Sequence, residues 1–485
     1  MTFIFGGFIL VIINTCEAIF MSVKEEKISV KKSGKYEIDM CNGSIIKKML
    51  IFTVPLMFSS MLQLLFNAAD VIVVGRYAGK AALGAVGSTS SLINLLTNLF
   101  IGLSVSSNVL TARYFAAKQK EQLSKVVHTS MMLSIISGIF LTFVGVIWAP
   151  SILKIMNTPP EVLKLAVQYI RMYFVGMTAM MVYNFGSAIL RAIGDTKRPL
   201  YFLMISGVVN VALNLLFVRQ FNMSVLGVAL ATVIAQVISA LCVVVCLVKE
   251  KNGIQLEFKK MKIDMNMLKL ILKIGLPAGF QGCLFSLSNV FIQSAVNSFG
   301  DTVVAGNSAA SNIEGFIYVA MNAFHQAAIS FTSQNVGAGK YKRVNKILYV
   351  AQGCVLTVGL VLGIAVVLSG EFLLGLYTDE PAVIMAGMDR LKIICITYCL
   401  CGMMDVMVGM LRGLGYSVMP MIVSLIGACG LRILWLSTGF RLEQFHTTDM
   451  LYITYPVSWS LTLIAHIICY VTVKKKINLQ KTAIK

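Results

Sequence analysis

Charge is scarce in this chain. Only 13% of its 485 residues are Asp, Glu, Lys or Arg, and acids are the rarer sign, 21 against 41. With 57% hydrophobic residues and a mean hydropathy of +0.82, it exceeds what a soluble globular core needs and reads as a polytopic membrane protein. No GxxxxGK[ST] motif occurs, so nothing here binds and hydrolyses ATP by that route. HExxH and GxSxG are missing as well, and no His/Asp or Ser/His set gathers at one membrane depth, which argues against a membrane-embedded enzyme. There is no CxxC pair. The 11 cysteines sit mostly inside apolar runs, with Cys242/Cys246 and Cys395/Cys399 one helical turn apart. They read as small apolar fillers, neither disulfides nor metal ligands.

What the chain does have is long apolar runs. Twelve can cross a bilayer: 49–74, 82–108, 127–149, 163–189, 199–218, 225–248, 268–298, 303–333, 347–369, 388–411, 419–440 and 451–473. The net charge of +20 does not mark a nucleic-acid partner, because the Lys and Arg lie in short loops between runs. Of 41, 31 fall on one side, nine (Arg390 among them) on the other, and Arg432 alone inside a span. By the positive-inside rule both termini are expected in the cytoplasm.

The chain repeats. A slide of 222 residues matches Lys47/Lys269, Pro55/Pro277, Phe58/Phe280, Asn67/Asn289 and Lys118/Lys340. A slide of 221 matches Leu190/Leu411, Arg191/Arg412, Gly194/Gly415 and Pro199/Pro420. Each half holds six spans, so both enter from the same side, related by a pseudo-two-fold axis along the membrane normal. The expected fold is an all-α integral membrane protein, twelve transmembrane helices in two six-helix lobes around a central cavity. Its parts are a tail over 1–46, a first lobe over 47–248, a linker over 249–266, a second lobe over 267–473 and a basic tail over 474–485. Within the first tail, Phe3–Ile13 is too short to span and lacks a signal peptide's positive n-region. Residues 1–20 therefore read as an upstream extension or an interfacial segment.

The first span carries the group of most interest, Asp70. A carboxylate at a helix centre in hydrocarbon costs at least ~2.5 kcal/mol, so a chain that keeps one there usually uses it. The plainer alternative is that Asp70 lies near the span's end and reaches the headgroups. Gln63 and Asn67 share its face, at helical spacing. Span five carries Asn210 and Asn214 one turn apart, and span six carries Thr232. With Asp70 these could cage a proton or a small cation, although paired asparagines also serve as interhelical glue. Burial favours the protonated form of a carboxyl in general, which makes proton binding near neutral pH an expectation. Asp405 and Arg432 are expected as a buried ion pair, structural or gating. Glu314 faces the cavity or pairs within its lobe. Asn184, with Gln63, Asn67, Glu314, Asp405 and Arg432, completes the candidate cavity lining. His325 and His466 read as hydrogen-bonded packing residues rather than titrating groups. The 28 Met and 27 Phe offer soft walls suited to varied apolar ligands.

These residues resemble the multidrug and toxic compound extrusion (MATE) family over about 47–475. The first span matches P-x7-Q-x6-D-x4-G at Pro55, Gln63, Asp70 and Gly75. LRAIGDTKRP at Leu190–Pro199, its repeat LRGLGYSVMP at Leu411–Pro420 and QNVGAGKYKRV at Gln334–Val344 are family-like too. The resemblance implies an antiporter coupled to H⁺ or Na⁺, with a first-lobe site on Asp70, Asn210, Asn214 and Thr232. It implies small organic, often cationic substrates, a multi-pass protein of the cytoplasmic membrane working as a monomer among lipids, and no cofactor or nucleic acid. Departures are Asn214 where some branches carry Asp, Phe285 near the span-seven Glu of NorM-like members, Ala116 for a usual Gly, and an Asp405 about one turn from their acid. A lipid-linked oligosaccharide flippase and an exporter of an endogenous metabolite are the other readings.

Overall fold

Away from water every backbone N–H and C=O needs a partner within its own segment, and only a helix provides that locally. The computed structural model of the chain describes residues 36–156 and 158–482, and no strand occurs among them. The tail proposed as an extension, 1–20, lies outside the described residues.

In the first half the helices are α1 (Ile45–Tyr77), α2 (Lys80–Ala116), α3 (Lys120–Ile155), α4 (Pro160–Val175), α5 (Met177–Ala192), α6 (Lys197–Asn214) and α7 (Ser224–Lys249). The second half holds α8 (Met265–Asn297), α9 (Asp301–Gly337), α10 (Tyr341–Leu368), the short α11 (Gly370–Gly375), α12 (Pro381–Gly413), α13 (Val418–Ser424), α14 (Leu431–Ser437) and α15 (Thr448–Thr482). A π-turn, Leu215–Gln220, follows α6 directly after Asn214, and another, Leu425–Gly430, joins α13 to α14. Each of the twelve expected spans falls on one of these helices or on a joined pair. The fourth is broken. α4 and α5 meet at 46° across Gly176, where a Cβ would lie 2.3 Å from Gln236 Oε1. The eighth, α9, is long enough at 37 residues but is not apolar enough to count among the described membrane-crossing helices. It can be polar because it is enclosed by protein: Asn307, Glu314, His325, Ser330, Thr332, Ser333, Gln334 and Asn335 are all buried.

The repeat is visible in the backbone. Left-handed residues recur 221 apart, at Gly79/Gly300, Lys118/Gly339 and Gly194/Gly415. Two large cores result, one from α2–α7 and one from α9–α15. Helix α1 crosses between them. Ile45, Met49, Phe52 and Leu56 sit in the second core, and Val73 and Val74 in the first. α8 does the reverse, with Leu272 and Leu276 against the first core and Ile292 and Val296 in the second.

Small residues let the lobes touch. A Cβ on Gly102 would fall 2.2 Å from Gly279 N, and one on Gly279 would fall 2.3 Å from Leu99 O, so α2 and α8 meet backbone to backbone. Toward the end where α1 begins and α15 ends, polar bonds join the lobes. Ser330 donates to Asn108 (3.1 Å), Gln334 to the Ala192 carbonyl (2.7 Å) and Arg113 to the Gly413 carbonyl (3.3 Å).

Candidate functional site

The crossing of α1 delivers Asp70 to α6 and α7. Asp70 is 9% exposed, so the alternative in which it simply reaches the headgroups does not describe it. Asn214 Nδ2 donates to Asp70 Oδ1 and also to Asn210 Oδ1, 3.3 Å away, which uses both amide hydrogens. Thr232 Oγ1 stands 3.4 Å from Asp70 Oδ2 and 2.9 Å from the Val228 carbonyl, and its single hydrogen serves one of them at a time. Asn210 Nδ2 donates back to Thr232 Oγ1 at 3.4 Å. The four expected residues therefore form one connected cluster. The π-turn starting at Leu215 ends the regular α6 ladder just after Asn214, and such turns gather at functional sites.

Two features define its chemistry. Asp70 has no cationic partner among the described residues. Asn214 Oδ1 is buried and has no hydrogen-bond partner. The site thus has acceptor oxygens to spare and no positive charge of its own. Hard oxygens in excess suit a proton or an alkali cation. No group of three or more His, Cys, Asp or Glu able to hold a metal occurs among the described residues.

The sequence reading missed the neighbours on α4 and α7. Tyr169 and Tyr173 are close enough to feel the Asp70 charge, and Gln236 lies beside Tyr173. The i, i+4 tyrosine pair on an apolar span was the available signal. Gln63 and Asn67 share the Asp70 stripe but are exposed, outside the cluster. Asn184 is half-buried in the middle of α5 and donates back to the Met180 carbonyl four residues earlier, at 2.9 Å.

In the second lobe the expected pairing fails. Asp405 and Arg432 do not pair. Arg432 donates from Nε to Ser458 at 2.7 Å, with its Cζ 4.2 Å from the Tyr455 ring and 5.5 Å from that of Trp459. Cation–π contacts with α15 take the place of a carboxylate. Asp405 faces α9 and interacts electrostatically with Arg412, which donates to Gln281 at 2.8 Å. The buried pair is Glu314 with Arg390, bidentate at 2.8 Å for both bonds, with Asn307 accepting a third at 2.6 Å. Arg390, two residues inside the expected limit of 388, was counted with the outer-side charges. α12 starts at Pro381, which puts Arg390 well inside, at 6% exposure, so Arg432 is not alone within a span. Both histidines pack as expected: His325 Nδ1 bonds the Asp405 carbonyl (2.6 Å), and His466 Nε2 lies 3.0 Å from Ser424 Oγ.

Two duplicated six-helix lobes holding a buried carboxylate with no cationic partner define a membrane transporter rather than an enzyme. The MatE family model matches residues 55–216 and 277–436, two segments starting 222 residues apart. The chain belongs to the MatE family. It is 28% identical over 453 residues to the probable multidrug resistance protein YoeA of Bacillus subtilis (strain 168), covering 92% of this chain and 96% of that one. The probable multidrug resistance protein YpnP of the same organism is 29% identical over 396 residues, 81% of this chain and 88% of the relative. Among solved structures, one described as the outward-facing conformation of a multidrug resistance MATE family transporter of the MOP superfamily superposes with a TM-score of 0.83. It is 22% identical and covers 93% of this chain and 100% of its own.

Proposed function

We propose that the protein exports organic cations and other drug-like molecules across the cytoplasmic membrane, in exchange for inward H⁺ or Na⁺, by alternating access. Both termini lie in the cytoplasm in this reading. The observation that carries it is the buried Asp70 with no cationic partner, ringed by Asn210, Asn214 and Thr232. A charge moving down 100 mV releases ~2.3 kcal/mol, enough for a concentration ratio of several tens. One exchangeable carboxylate therefore suffices. Binding an ion at Asp70 would compete with Asn214 Nδ2 for the same oxygen and loosen α1 from α6. That loosening would couple occupancy to the tilt of a helix shared by both lobes.

The names of the relatives point to drugs as substrates. Proteoliposomes loaded with a fluorescent organic cation test the reading. An imposed pH or Na⁺ gradient is expected to drive dye movement and so to name the coupling ion. If neither gradient moves the dye, the exporter reading fails.

A further inference from the structure

The lobes treat equivalent grooves differently at the end where α1 begins and α15 ends. In the first lobe, the groove between the start of α3, the end of α5 and the end of α7 is filled by the linker after α7. Ile254 and Leu256 are 0% and 2% exposed, in one core with Leu123, Ile193 and Leu247. Leu256 N donates to the Leu247 carbonyl at 3.0 Å, and Glu257 N to His128 Nε2 at 3.1 Å. Three cations around this groove have carboxylate partners: Lys125 with Glu121 (2.6 Å), Arg198 with Glu250 (2.7 Å), Lys260 with Glu257 (2.7 Å).

The related groove in the second lobe runs between the start of α10, the end of α12 and the end of α15. It is an open cavity of about 710 Å³. Val344 and Leu414 line it, each 221 residues on from Leu123 and Ile193, and Ile477 extends the apolar wall. Its lining carries Lys340, Lys342, Arg343 and Lys474 and no acid. The same offset puts Lys342 where the first lobe has Glu121. Two of these cations are already committed. Lys340 donates to the Cys41 carbonyl at 3.1 Å, and Arg343 to those of Asn42 and Gly43 at 3.1 and 2.7 Å, just ahead of α1. Lys342 and Lys474 are exposed and make no ion pair among the described residues.

The first lobe shows what such a groove accepts: the apolar Ile254 and Leu256, with Glu250 and Glu257 on either side engaging Arg198 and Lys260. In the second lobe the apolar wall remains, the carboxylates are missing, and the site sits at the ends of two membrane-crossing helices. We propose that this groove binds an anionic phospholipid, its phosphate at Lys342 and Lys474 and its apolar part along Val344, Leu414 and Ile477. A soluble phosphate would match the charge but leave the apolar wall uncovered; basic pockets between helices at the membrane surface are where anionic headgroups collect. Because Lys340 and Arg343 line the same groove and also hold the start of α1, a bound lipid would reinforce the lobe contact at this end.

Native mass spectrometry of the purified full chain, titrated with phosphatidylglycerol or phosphatidylcholine, tests this without any transport step. Its outcome is therefore separate from that of the export reading. Phosphatidylglycerol is expected to be retained in preference, and Lys342→Gln and Lys474→Gln to lose roughly fivefold each in its affinity. Lys260→Gln, in the filled first-lobe groove, is expected to change nothing. Equal retention of both lipids, a double variant that binds like wild type, or displacement of the lipid by millimolar glycerol 3-phosphate would each overturn the proposal.

Discussion

At the scale of single residues, a buried polar side chain is defined by what it lacks. Glu314 and Arg390 satisfy each other, so the pair is structural. Removing one partner leaves a buried charge, at a cost of about 3–5 kcal/mol, whereas replacing both by apolar residues is often nearly neutral. Glu314→Met alone is therefore expected to lower the thermal unfolding midpoint sharply in detergent, with Glu314→Met/Arg390→Met recovering most of the loss. Additive losses would show that the pair is not coupled. Arg432 is held differently, by the Tyr455 and Trp459 rings and Ser458. Arg432→Lys, which keeps the charge but loses the planar stack, is expected to destabilise the protein, while Asp405→Asn leaves the Arg432 environment unchanged. Unfolding midpoints of the two variants check this, and equal effects would restore a link between the residues.

How far the sequence reached is also clearest on residues. Asp70, Asn210, Asn214 and Thr232 were legible because an acid and amides at one-turn spacing stand out against apolar spans. Their hydrogen-bond order was not, since it depends on how α1, α6 and α7 cross. Asp405 and Arg432 were paired only because each is a lone charge of opposite sign on adjacent spans. Span order says nothing about which face each helix turns inward. Arg390 was missed because, near the start of its span, it was counted as an outer-side charge; α12 starts earlier, at Pro381, and turns Arg390 onto Glu314 inside the lobe.

At the scale of elements, glycines set how closely helices approach. The α2–α8 contact needs hydrogen at Gly102 and Gly279, since a Cβ there would overlap the facing backbone. Gly279→Val is expected to push the two helices apart and weaken the contact between the lobes. A cysteine pair at Asn98 and Ser286, whose side chains now lie 3.4 Å apart, is then expected to crosslink less readily than in the Gly279 background. Unchanged crosslinking would mean the helices do not need that approach. The spans themselves were readable from apolar runs. α9 shows why a run can still be a span when it is polar: its partners are other helices rather than lipid.

At the scale of the molecule, duplication explains the most. Two copies of one six-helix plan give two cores, while α1 and α8 each divide their length between them, so moving one lobe must move a helix of the other. The plan is shared but its chemistry is not. The first lobe holds Asp70 among amides and a hydroxyl; the second holds a satisfied Glu314–Arg390 pair, an arginine stacked on aromatics, and Asp405, which makes no ion pair among the described residues. In the proposed exchange, coupling rests on Asp70, the carboxylate set among amide and hydroxyl oxygens. The most direct test compares wild type with Asp70→Asn in proteoliposomes, after confirming equal reconstitution and unfolding midpoints, by following gradient-driven movement of a fluorescent organic cation. The account predicts that Asp70→Asn still binds the dye but no longer responds to either a pH or a Na⁺ gradient. A well-folded Asp70→Asn protein that pumps like wild type would contradict it.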